Sequence, residues 1–319
     1  MILSVSRRTD IPNYYSGWFY NRIKAGFVYV RNPMNPHQIS KIDLSPEVVD
    51  CIVFWTKNPE PMLDRLDELK AYPYYFQFTL TGYGKDMECG IPHKKEKMIP
   101  VFQRLSDQIG SGRVIWRYDP ILFTETYTPE YHVKVFAQIA AALKDYTKKC
   151  VISFVDIYAK NKKQMEALHA YELKQEELLE FAGKLSGIAK QNGMTVTSCA
   201  EPVDLAECGI SHGCCIDKAL VEELAGYPIR VAKDKNQRPA CGCVESVEIG
   251  TYDTCKNGCR YCYANVSGER VRKNCEKYDP DAPLLCGVPT EEDRITERKV
   301  RSLKVSTKLV DKIQYYAKI

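Results

Sequence analysis

The sequence predicts an α/β protein, a (β/α) TIM-like barrel that is closed or nearly closed. Short apolar runs alternate with longer amphipathic stretches over most of the chain, and this alternation indicates βα units around a parallel sheet. Roughly seven such repeats favour a barrel over a doubly wound sheet. The hydrophobic fraction of 45% is sufficient for a full core.

Apolar runs and amphipathic stretches predict the individual elements. The predicted strands are residues 1–5, 28–31, 51–55, 74–81, 113–118, 150–157 and 194–199, followed by 227–234 and 247–252. The predicted helices are residues 12–25, 59–70, 95–109, 129–146, 172–192 and 216–226. The charged tail at 289–319 begins with Pro289 as a further helix would, and we interpret its Arg and Lys residues as a solvated face.

The composition of the chain changes near residue 235. Residues 1–235 form the predicted barrel. Residues 236–319 form a cysteine-rich segment and a tail that we expect to pack on the barrel as one structural unit. Of the 14 cysteines, eleven fall within residues 199–286. Such crowding requires an explanation beyond core packing.

Charge and hydropathy restrict the partners and the compartment. The formal net charge of +4 is too small to indicate a nucleic-acid or membrane partner, and no basic–aromatic stripe is present. No secretory signal and no stretch of about 18 apolar residues is found. We therefore expect a cytoplasmic protein, in which clustered cysteines indicate metal binding or catalysis rather than disulfides.

The most specific chemical signal is the stretch 251–265. It holds Cys255, Cys259 and Cys262 in the spacing C-x3-C-x2-C, with Tyr261 before the last cysteine. Three thiolates can hold three irons of a 4Fe–4S cluster and leave the fourth iron without a protein ligand, whereas such clusters normally take four cysteines. Zinc sites usually space their pairs as C-x2-C or C-x4-C, so the spacing favours iron–sulfur.

This loop resembles the C-x3-C-x-aromatic-C signature of the radical S-adenosylmethionine (SAM) superfamily. The segments at 6–12 (SRRTDIP), 54–59 (FWTKNP), 241–265 and 278–287 (YDPDAPLLCG) resemble an uncharacterised bacterial family with a C-terminal cysteine cluster of this type. The octapeptide GCRYCYAN and the Thr56-Lys57 pair are more distantly similar to the spore photoproduct lyase group.

The resemblance implies that SAM binds the open iron. A reduced cluster would then cleave SAM to methionine and a 5′-deoxyadenosyl radical, which removes a hydrogen atom from the substrate. In most superfamily members the loop follows the first strand. Here it is displaced to the C-terminal end, where strand 247–252 could lie beside residues 1–5. Such a permuted order costs little when chain ends are close.

Polar side chains follow several predicted strands, and barrel enzymes carry their reactive groups there. The SAM carboxylate would need a cation, and Arg8 or Arg117 is favoured because arginine pairs with carboxylates through two bonds. Helix capping is an equally good interpretation of any single residue. The usual Gly-Gly-Glu segment for SAM is not evident. The candidate cofactor-binding residues are Arg7, Arg8, Lys57, Arg117, Asp119 and Glu201, the last two for the ribose hydroxyls.

Four further cysteines could form a second site, which would hold an auxiliary 4Fe–4S cluster that relays electrons or ligates substrate. We prefer Cys215 to Cys214, because a helix starting after it would direct its N-terminus at a negatively charged cluster. Zinc, unligated thiols or a role for His212 are the alternatives. The candidate ligands are Cys199, Cys215, Cys241 and Cys243.

Three functions compete. The first is a radical SAM enzyme that acts on an unknown small-molecule or peptide substrate and receives electrons from a donor such as flavodoxin or ferredoxin. The second is a two-cluster iron–sulfur protein for electron transfer or sensing, without SAM chemistry. The third is a zinc-stabilised nucleic-acid-binding module, which the nearly balanced charge disfavours.

Overall fold

The computed structural model describes residues 1–155 and 162–305. Its strands are β1 (Ile2–Val5), β2 (Phe27–Asn32), β3 (Asn35–Asp43), β4 (Cys51–Thr56), β5 (Tyr74–Thr79), β6 (Val114–Ile121), β7 (Lys149–Phe154), β8 (Thr195–Ser198), β9 (Ser211–His212), β10 (Val247–Glu248) and β11 (Arg294–Glu297). The predicted strand run 150–157 extends into residues outside this description.

Helices separate most of the strands. They are α1 (Ile11–Tyr14), α2 (Ser16–Ala25), α3 (Ile99–Ile109), α4 (Pro129–Ala142), α5 (Lys162–Ala167), α6 (Gln175–Gln191), α7 (Lys218–Ala225) and α8 (Gly268–Cys275). Turns of 3₁₀ helix lie at Glu60–Leu69, Ser111–Arg113 and Ala206–Cys208, and a π-helical turn lies at Lys94–Met98. No helix in these ranges has the length and hydropathy needed to cross a membrane.

The main sheet has eight strands in the order β10-β1-β4-β5-β6-β7-β8-β9, and every neighbouring pair is parallel. The prediction of an α/β protein with a parallel sheet is therefore confirmed. A closed barrel is not confirmed, because no pairing joins β10 to β9 in the part of the chain that the structure describes. A second sheet has the order β11-β3-β2.

The predicted position of the strand before the cysteine loop, beside residues 1–5, is confirmed. Strand β10 pairs with β1 in the register Leu3 to Val247 and Ser4 to Glu248. The strand is shorter than predicted, however, since it ends at Glu248. The residues that follow lead directly into the cysteine loop. This loop therefore starts at the C-terminal edge of the parallel sheet.

Three further predictions differ from the structure, one in the placement of a strand and two in the type of element. The run 28–31 belongs to β2, which pairs antiparallel with β3 in the small sheet instead of joining the main one. Residues 227–234 form isolated bridges rather than a strand. The tail forms strand β11 and an extended segment up to residue 305 instead of a helix, and residues 306–319 lie outside the described residues.

The two faces of the main sheet are covered differently, because successive strand residues point to opposite sides. Side chains such as Phe54, Phe76 and Trp116 pack beneath α2, α3, α4 and α6. The opposite face, with Val53 and Tyr75, packs against residues of α7 and its flanking loops. Because α7 covers that face, the space available for a site lies at the C-terminal ends of the strands.

Candidate functional site

A cavity of about 1450 Å³ lies at the C-terminal ends of the parallel strands. Its walls come from strands β1 to β7 and β10, from the loop after β8 and the loops on either side of β10, and from the segment 298–303. Both predicted cysteine groups contribute to this one cavity. The cysteines that line it are Cys199, Cys215, Cys241, Cys243, Cys255, Cys259 and Cys262.

Glu248 locks the segment after β1 to the segment before the cysteine loop. Its carboxylate accepts hydrogen bonds from Ser4 Oγ (2.9 Å), from the backbone N–H of Arg7 (3.0 Å) and from that of Gly250 (2.8 Å). A Cβ at Gly250 would lie 1.8 Å from Ser6 Oγ, so only glycine allows this approach. The motif at 6–12 and the C-terminal loop thus form one structural unit.

Asp10 connects the cysteine loop to the end of strand β4. Its carboxylate is buried and accepts hydrogen bonds from Thr56 Oγ1 (2.6 Å), from the backbone N–H groups of Lys57 (2.8 Å) and Asn13 (3.2 Å), and from Asn257 Nδ2 (3.0 Å). Asn257 lies between the first two cysteines of the loop. Asp10 therefore connects the ends of β1 and β4 to the centre of that loop.

Glu88 fixes the other side of the same loop. Its buried carboxylate accepts hydrogen bonds from Lys57 Nζ (2.8 Å) and Thr81 Oγ1 (3.0 Å), and from Lys94 Nζ and the Tyr261 hydroxyl. Burial alone would raise the pKa of Glu88, but Lys57 and Lys94 together lower it to about 2. The aromatic residue of the cysteine motif thus anchors the loop through its hydroxyl.

The thiols of the first group are protonated in the ligand-free protein. Burial raises the pKa of Cys255, Cys259 and Cys262, to about 12 for Cys259. For Cys259 the charge of Lys57 opposes this rise. Coordination to a metal deprotonates a thiol outright, so binding of a cluster at this loop would release protons.

The four thiols of the second group touch one another in a row. The sulfurs of Cys199 and Cys215 lie 3.2 Å apart. Cys243 Sγ accepts hydrogen bonds from the backbone N–H groups of Cys215 (3.3 Å) and Ile216 (3.4 Å). Hydrogen bonds from the Cys215 and Cys241 thiols, opposed by burial, lower the pKa of Cys243 to about 2. A thiolate at Cys243 is therefore the favoured state of this group.

Two alternative ligands of the second group lie outside the cavity lining. Burial raises the pKa of Cys214 to about 12, and its side chain is not among those that line the cavity. His212 is exposed and its Nδ1 lies 3.4 Å from Ser198 Oγ. The structure therefore places Cys215, and neither Cys214 nor His212, at this site.

Two guanidinium groups adjoin the second group. Arg117 donates from Nη1 to Cys215 Sγ (2.6 Å) and to Gln77 Oε1 (3.3 Å), and from Nη2 to Asp119. Arg7 Nη1 lies 3.9 Å from an Asp234 oxygen. Arg7 Nη2 is buried and has no hydrogen-bond partner among the described residues. Arg117 is thus fully engaged, whereas Arg7 retains open donors.

The remaining candidate residues differ in their access to the cavity. Arg8 lines it, with its guanidinium 4.9 Å from the centre of the Tyr252 ring and Nη1 donating to Gly250 O (3.3 Å). Asp119 also lines it but is held by Arg117 and Ser153. Glu201 is buried, accepts a hydrogen bond from Phe154 N (2.9 Å), and is not a lining residue. The ribose contact expected of Glu201 stays a prediction.

Neither group forms a ready-made site for a single ion. In residues 1–155 and 162–305, no three or more His, Cys, Asp and Glu side chains are placed so that they could hold a metal ion. Two sulfurs on one tetrahedral zinc lie about 3.8 Å apart, given Zn–S bonds of about 2.3 Å, so Cys199 and Cys215, whose sulfurs are 3.2 Å apart, would have to separate to hold zinc. They would have to separate further to hold a 4Fe–4S cluster, because each thiolate then binds a different iron. The donor type, soft thiolates with adjacent cations, suits zinc, copper(I) or an iron–sulfur cluster.

Comparison with known families gives one match. The model of the family described as Domain of unknown function (DUF1848) matches residues 2–264. The chain belongs to this family. The match includes both cysteine groups and ends two residues after Cys262. No curated protein matches the chain.

Two residues of the DUF1848 site were missed from the sequence. Glu88 lies between β5 and α3 in a stretch without a motif, and only the fold brings it to the cysteine loop. Asp10 was visible within SRRTDIP, but a helix start explained it equally well, and it does cap α1 by accepting from Asn13 N. The segment SRRTDIP and the C-terminal loop occur together in the family that the chain resembles. This joint occurrence was the signal that could have distinguished a contact between Asp10 and the loop from a helix cap alone.

Proposed function

We propose that the protein is a radical SAM-type enzyme whose first 4Fe–4S cluster is held by Cys255, Cys259 and Cys262. The observation that carries this proposal is the position of the loop. Its three thiols border a cavity at the C-terminal edge of a parallel sheet, where α/β enzymes place their reactive groups. When bound, a reduced cluster and SAM would supply a 5′-deoxyadenosyl radical that removes a hydrogen atom from the substrate.

The chain's own residues would bind and orient these groups. Asp10 and Glu88 hold the three-cysteine loop in position through Asn257, Lys57 and Tyr261. Because the donors of Arg117 are taken by Cys215, Gln77 and Asp119, Arg7 is the better partner for the SAM carboxylate. Its buried Nη2 has no partner in the described part of the chain, and a carboxylate would satisfy it.

Loops close the gap between the two edge strands of the sheet, which supports a nearly closed barrel. Val244 N donates to Ile216 O over 3.2 Å, and these residues lie between the two edge strands β9 and β10 in the chain. A Cβ at Gly242 would lie 3.0 Å from Gly213 O. This tight contact would restrict the entry of water to the cavity, which radical chemistry requires.

We propose that the second group, Cys199, Cys215, Cys241 and Cys243, holds an auxiliary 4Fe–4S cluster. Four thiolates would carry more negative charge than the cluster core neutralises, and the guanidinium of Arg117 lies against them. Arg7 adds a second cation, whose charge interacts with Cys243 and Cys215. Electrons would arrive from a donor such as flavodoxin or ferredoxin. Both clusters need reduced thiols, in keeping with a cytoplasmic location.

One observation favours the alternative, a two-cluster electron-transfer or sensing protein. A second cavity of about 700 Å³ is lined by Cys255, Cys259 and Cys262 and also by Cys275 at the end of α8. Cys275 Sγ lies 3.1 Å from the Tyr15 hydroxyl. If Cys275 supplied a fourth thiolate, the cluster would have no open iron for SAM.

Anaerobic purification with iron, sulfide and zinc analysis tests the proposal. A brown protein that releases 5′-deoxyadenosine after addition of dithionite and SAM supports it. A colourless, zinc-loaded protein contradicts both iron–sulfur functions. The response of the unmodified protein to SAM, compared with Cys275→Ala, separates the two. An open-iron cluster changes its EPR signal on addition of SAM in both proteins, whereas a four-cysteine cluster does not respond in the unmodified protein and gains an open iron only in the variant. Cys208→Ala is the matched control, because Cys208 is a half-buried thiol that bonds Leu179 O and lines neither cavity.

Paired variants test the two cluster assignments. Cys259→Ala should abolish the first cluster and all SAM cleavage, while the EPR signal of the second remains. Cys241→Ala should abolish the second cluster and spare the first. If either variant lost both clusters while remaining folded by circular dichroism, the assignment of two independent sites would be wrong.

A further inference from the structure

The three cysteines of the first loop border two cavities. Cys255, Cys259 and Cys262 line the large cavity and also the smaller one of about 700 Å³. All three side chains are half-buried. The loop therefore lies between the two cavities, and a cluster bound to it would be accessible from either one. The proposed function assigns SAM and the substrate to the large cavity and gives the smaller cavity no role.

The smaller cavity is open to solvent at its rim. The positions of α8 that line it are Gly268, Val271, Arg272, Cys275 and Glu276. Their helical spacing places them on one face of the helix. Val271 is buried, whereas Arg272 and Glu276 are exposed. This face of α8 therefore reaches from the protein interior beside the thiols to the surface.

The segment that forms most of this cavity has an excess of positive charge. Residues 255–277 contain six arginines and lysines and two glutamates, and this excess of four equals the formal net charge of the whole chain. Lys273 pairs with Glu269 over 2.7 Å. Arg270 lies 3.8 Å from a carboxylate oxygen of Asp253.

The other four cations of this segment have no such pairing. They are Lys256, Arg260, Arg272 and Lys277. In residues 1–155 and 162–305, no carboxylate lies within ion-pair distance of any of them. The excess positive charge of the segment is therefore not neutralised within the described part of the chain.

Two of these cations lie beside the three thiols. Lys256 follows the first cysteine directly, and its Nζ lies 5.1 Å from the centre of the Tyr14 ring and 5.4 Å from that of Tyr15. Arg272 lies on α8, and Asn274 of this helix donates to a backbone carbonyl at the start of the cysteine loop (3.0 Å). Both cations line the smaller cavity, and both are exposed. Two positive charges therefore border one opening next to the cysteines.

An apolar side chain borders the same opening. Val266 lines the smaller cavity and is 67% exposed. An apolar contact with charged residues around it is the usual arrangement of a protein–protein interface. We call the three exposed residues that line this cavity the docking face: Lys256, Val266 and Arg272.

The charge of this segment suits an acidic protein better than a compact anion. Glu276 also lines the cavity, so a small anion inside it would meet charges of both signs. Exposed cations do not have to converge on one ligand in order to attract a protein, because their field acts over about 8 Å at physiological salt. An acidic surface can face all four cations at once, and such complementarity accelerates association.

We propose that the docking face binds an acidic electron-carrier protein that reduces the first cluster. The electron-transfer role rests on the proposed function, whereas the docking itself does not. With a flavin carrier, one electron would leave the flavin hydroquinone anion, which becomes the neutral semiquinone, and the cluster would gain that electron without proton transfer. Because the thiols are accessible from the smaller cavity, the carrier need not enter the large cavity assigned to SAM and the substrate.

Calorimetric titration of the anaerobically purified protein with an oxidised, acidic flavodoxin tests the docking face, and a basic cytochrome c is the probe of opposite charge. We expect flavodoxin to bind more weakly as salt is added, and cytochrome c not to bind. Arg272→Glu and Lys256→Glu should each weaken flavodoxin binding about fivefold or more. Two controls should bind flavodoxin as the unmodified protein does: Arg272→Lys, which keeps the charge, and Lys144→Glu, at an exposed position between α4 and the start of β7.

A kinetic experiment connects docking to the cluster. Reduced flavodoxin at subsaturating concentration should reduce the first cluster about fivefold more slowly or worse in Arg272→Glu, followed by freeze-quench EPR. Dithionite is a small reductant that needs no docking face, so it should reduce the cluster at the same rate in the variant and the unmodified protein. A slower reaction with dithionite as well would mean that the substitution damages the cluster, and the docking role of Arg272 would be wrong.

Three binding results would overturn the inference. These are no binding of flavodoxin at low salt, equal affinity in Arg272→Glu, Lys256→Glu and the Lys144→Glu control, or tighter binding of a single-stranded oligonucleotide than of flavodoxin. Flavodoxin binding and cluster reduction without release of 5′-deoxyadenosine would refute the radical SAM function alone. Release of 5′-deoxyadenosine with dithionite, but without flavodoxin binding, would refute the docking face alone.

Discussion

Arg117 donates from Nη1 to the sulfur of Cys215 over 2.6 Å. This contact joins a cation on β6 to a thiol in the loop between β9 and α7, inside the cavity. Burial opposes the charged form of Arg117, but Asp119 and the adjacent sulfurs of Cys215 and Cys199 raise its pKa well above the ordinary value. The guanidinium is therefore a fixed positive charge beside the second cysteine group.

Replacing Arg117 should change the electronic properties of the second cluster. In Arg117→Gln the side chain remains polar but loses its charge, so adding an electron to the adjacent cluster becomes less favourable. We expect a lower midpoint potential for this cluster and an unchanged one for the first, measured by redox titration with EPR detection. Arg117→Lys keeps a positive charge, so its midpoint potential should lie between those of Arg117→Gln and the unmodified protein. An unchanged midpoint potential in Arg117→Gln would contradict the assignment of a cluster to the second cysteine group.

Gly90 provides a test of how the first loop is held. A Cβ at this position would lie 2.6 Å from Lys256 O and 2.8 Å from Asn257 O, which are backbone atoms between two of the motif cysteines. In Gly90→Ala the loop must move, and we expect a loss of about 1–3 kcal/mol in the free energy of unfolding together with loss of the first cluster. Urea unfolding and EPR measure the two effects.

Gly112 supplies the control for this change, because a Cβ there would contact nothing within 4 Å. Gly112→Ala should keep both clusters and the stability of the unmodified protein. If Gly90→Ala behaved like Gly112→Ala, the close approach of residue 90 to the loop would have no role in cluster binding.

His132 should make stability depend on pH. Its Nε2 lies 3.1 Å from Leu122 O, which can only accept, so Nδ1 accepts from the Tyr118 hydroxyl (2.8 Å) and the ring is neutral. Burial lowers the pKa of His132 to about 4, against about 6.5 in an unfolded chain. Between these values the unfolded state binds more protons than the folded state, so the free energy of unfolding falls as the pH falls, by at most about 3 kcal/mol in total.

Urea unfolding at several pH values between about 7 and 5 measures this dependence. In His132→Phe no proton can bind at this position, so the difference in stability between the unmodified protein and the variant should narrow as the pH falls. A constant difference over this range would show that His132 does not titrate abnormally.

The sequence predicted the main sheet better than its surroundings. The runs that became β4 to β8 are continuous and apolar because both faces of a parallel sheet are buried. The run 28–31 looked similar, yet its partner is β3, whose residues 35–38 are exposed and gave no strand signal. In the run 227–234, Ile229 is buried beside α7 with Tyr227 and Val231 packed against the same cluster, and these apolar residues gave a strand-like pattern without a strand.

The candidate site was predictable where ligands lie close together in the chain. The spacing of Cys255, Cys259 and Cys262 identified the loop, and the strand before it suggested its place beside β1. Glu88 lies on a different loop, so no local pattern could reveal that it contacts Tyr261. Likewise the engagement of Arg117 with Cys215 depends on the approach of the loop after β9 to strand β6, and sequence alone could not distinguish Arg117 from Arg7.

Asp10 should be required for the first cluster specifically. Asp10→Asn keeps the shape of the side chain but replaces one oxygen with a donor, which then faces donors such as Thr56 Oγ1 or Lys57 N. Buried donors without acceptors cost about 1–3 kcal/mol, so we expect a loss of stability of this size. The bond to Asn257 depends on the same carboxylate, so the cysteine loop loses its support from β1 and β4, and the first cluster should be lost while the second remains. Iron analysis, EPR and urea unfolding measure these effects against the exposed control Asp67→Asn. A full first cluster in Asp10→Asn would mean that Glu88 alone holds the loop.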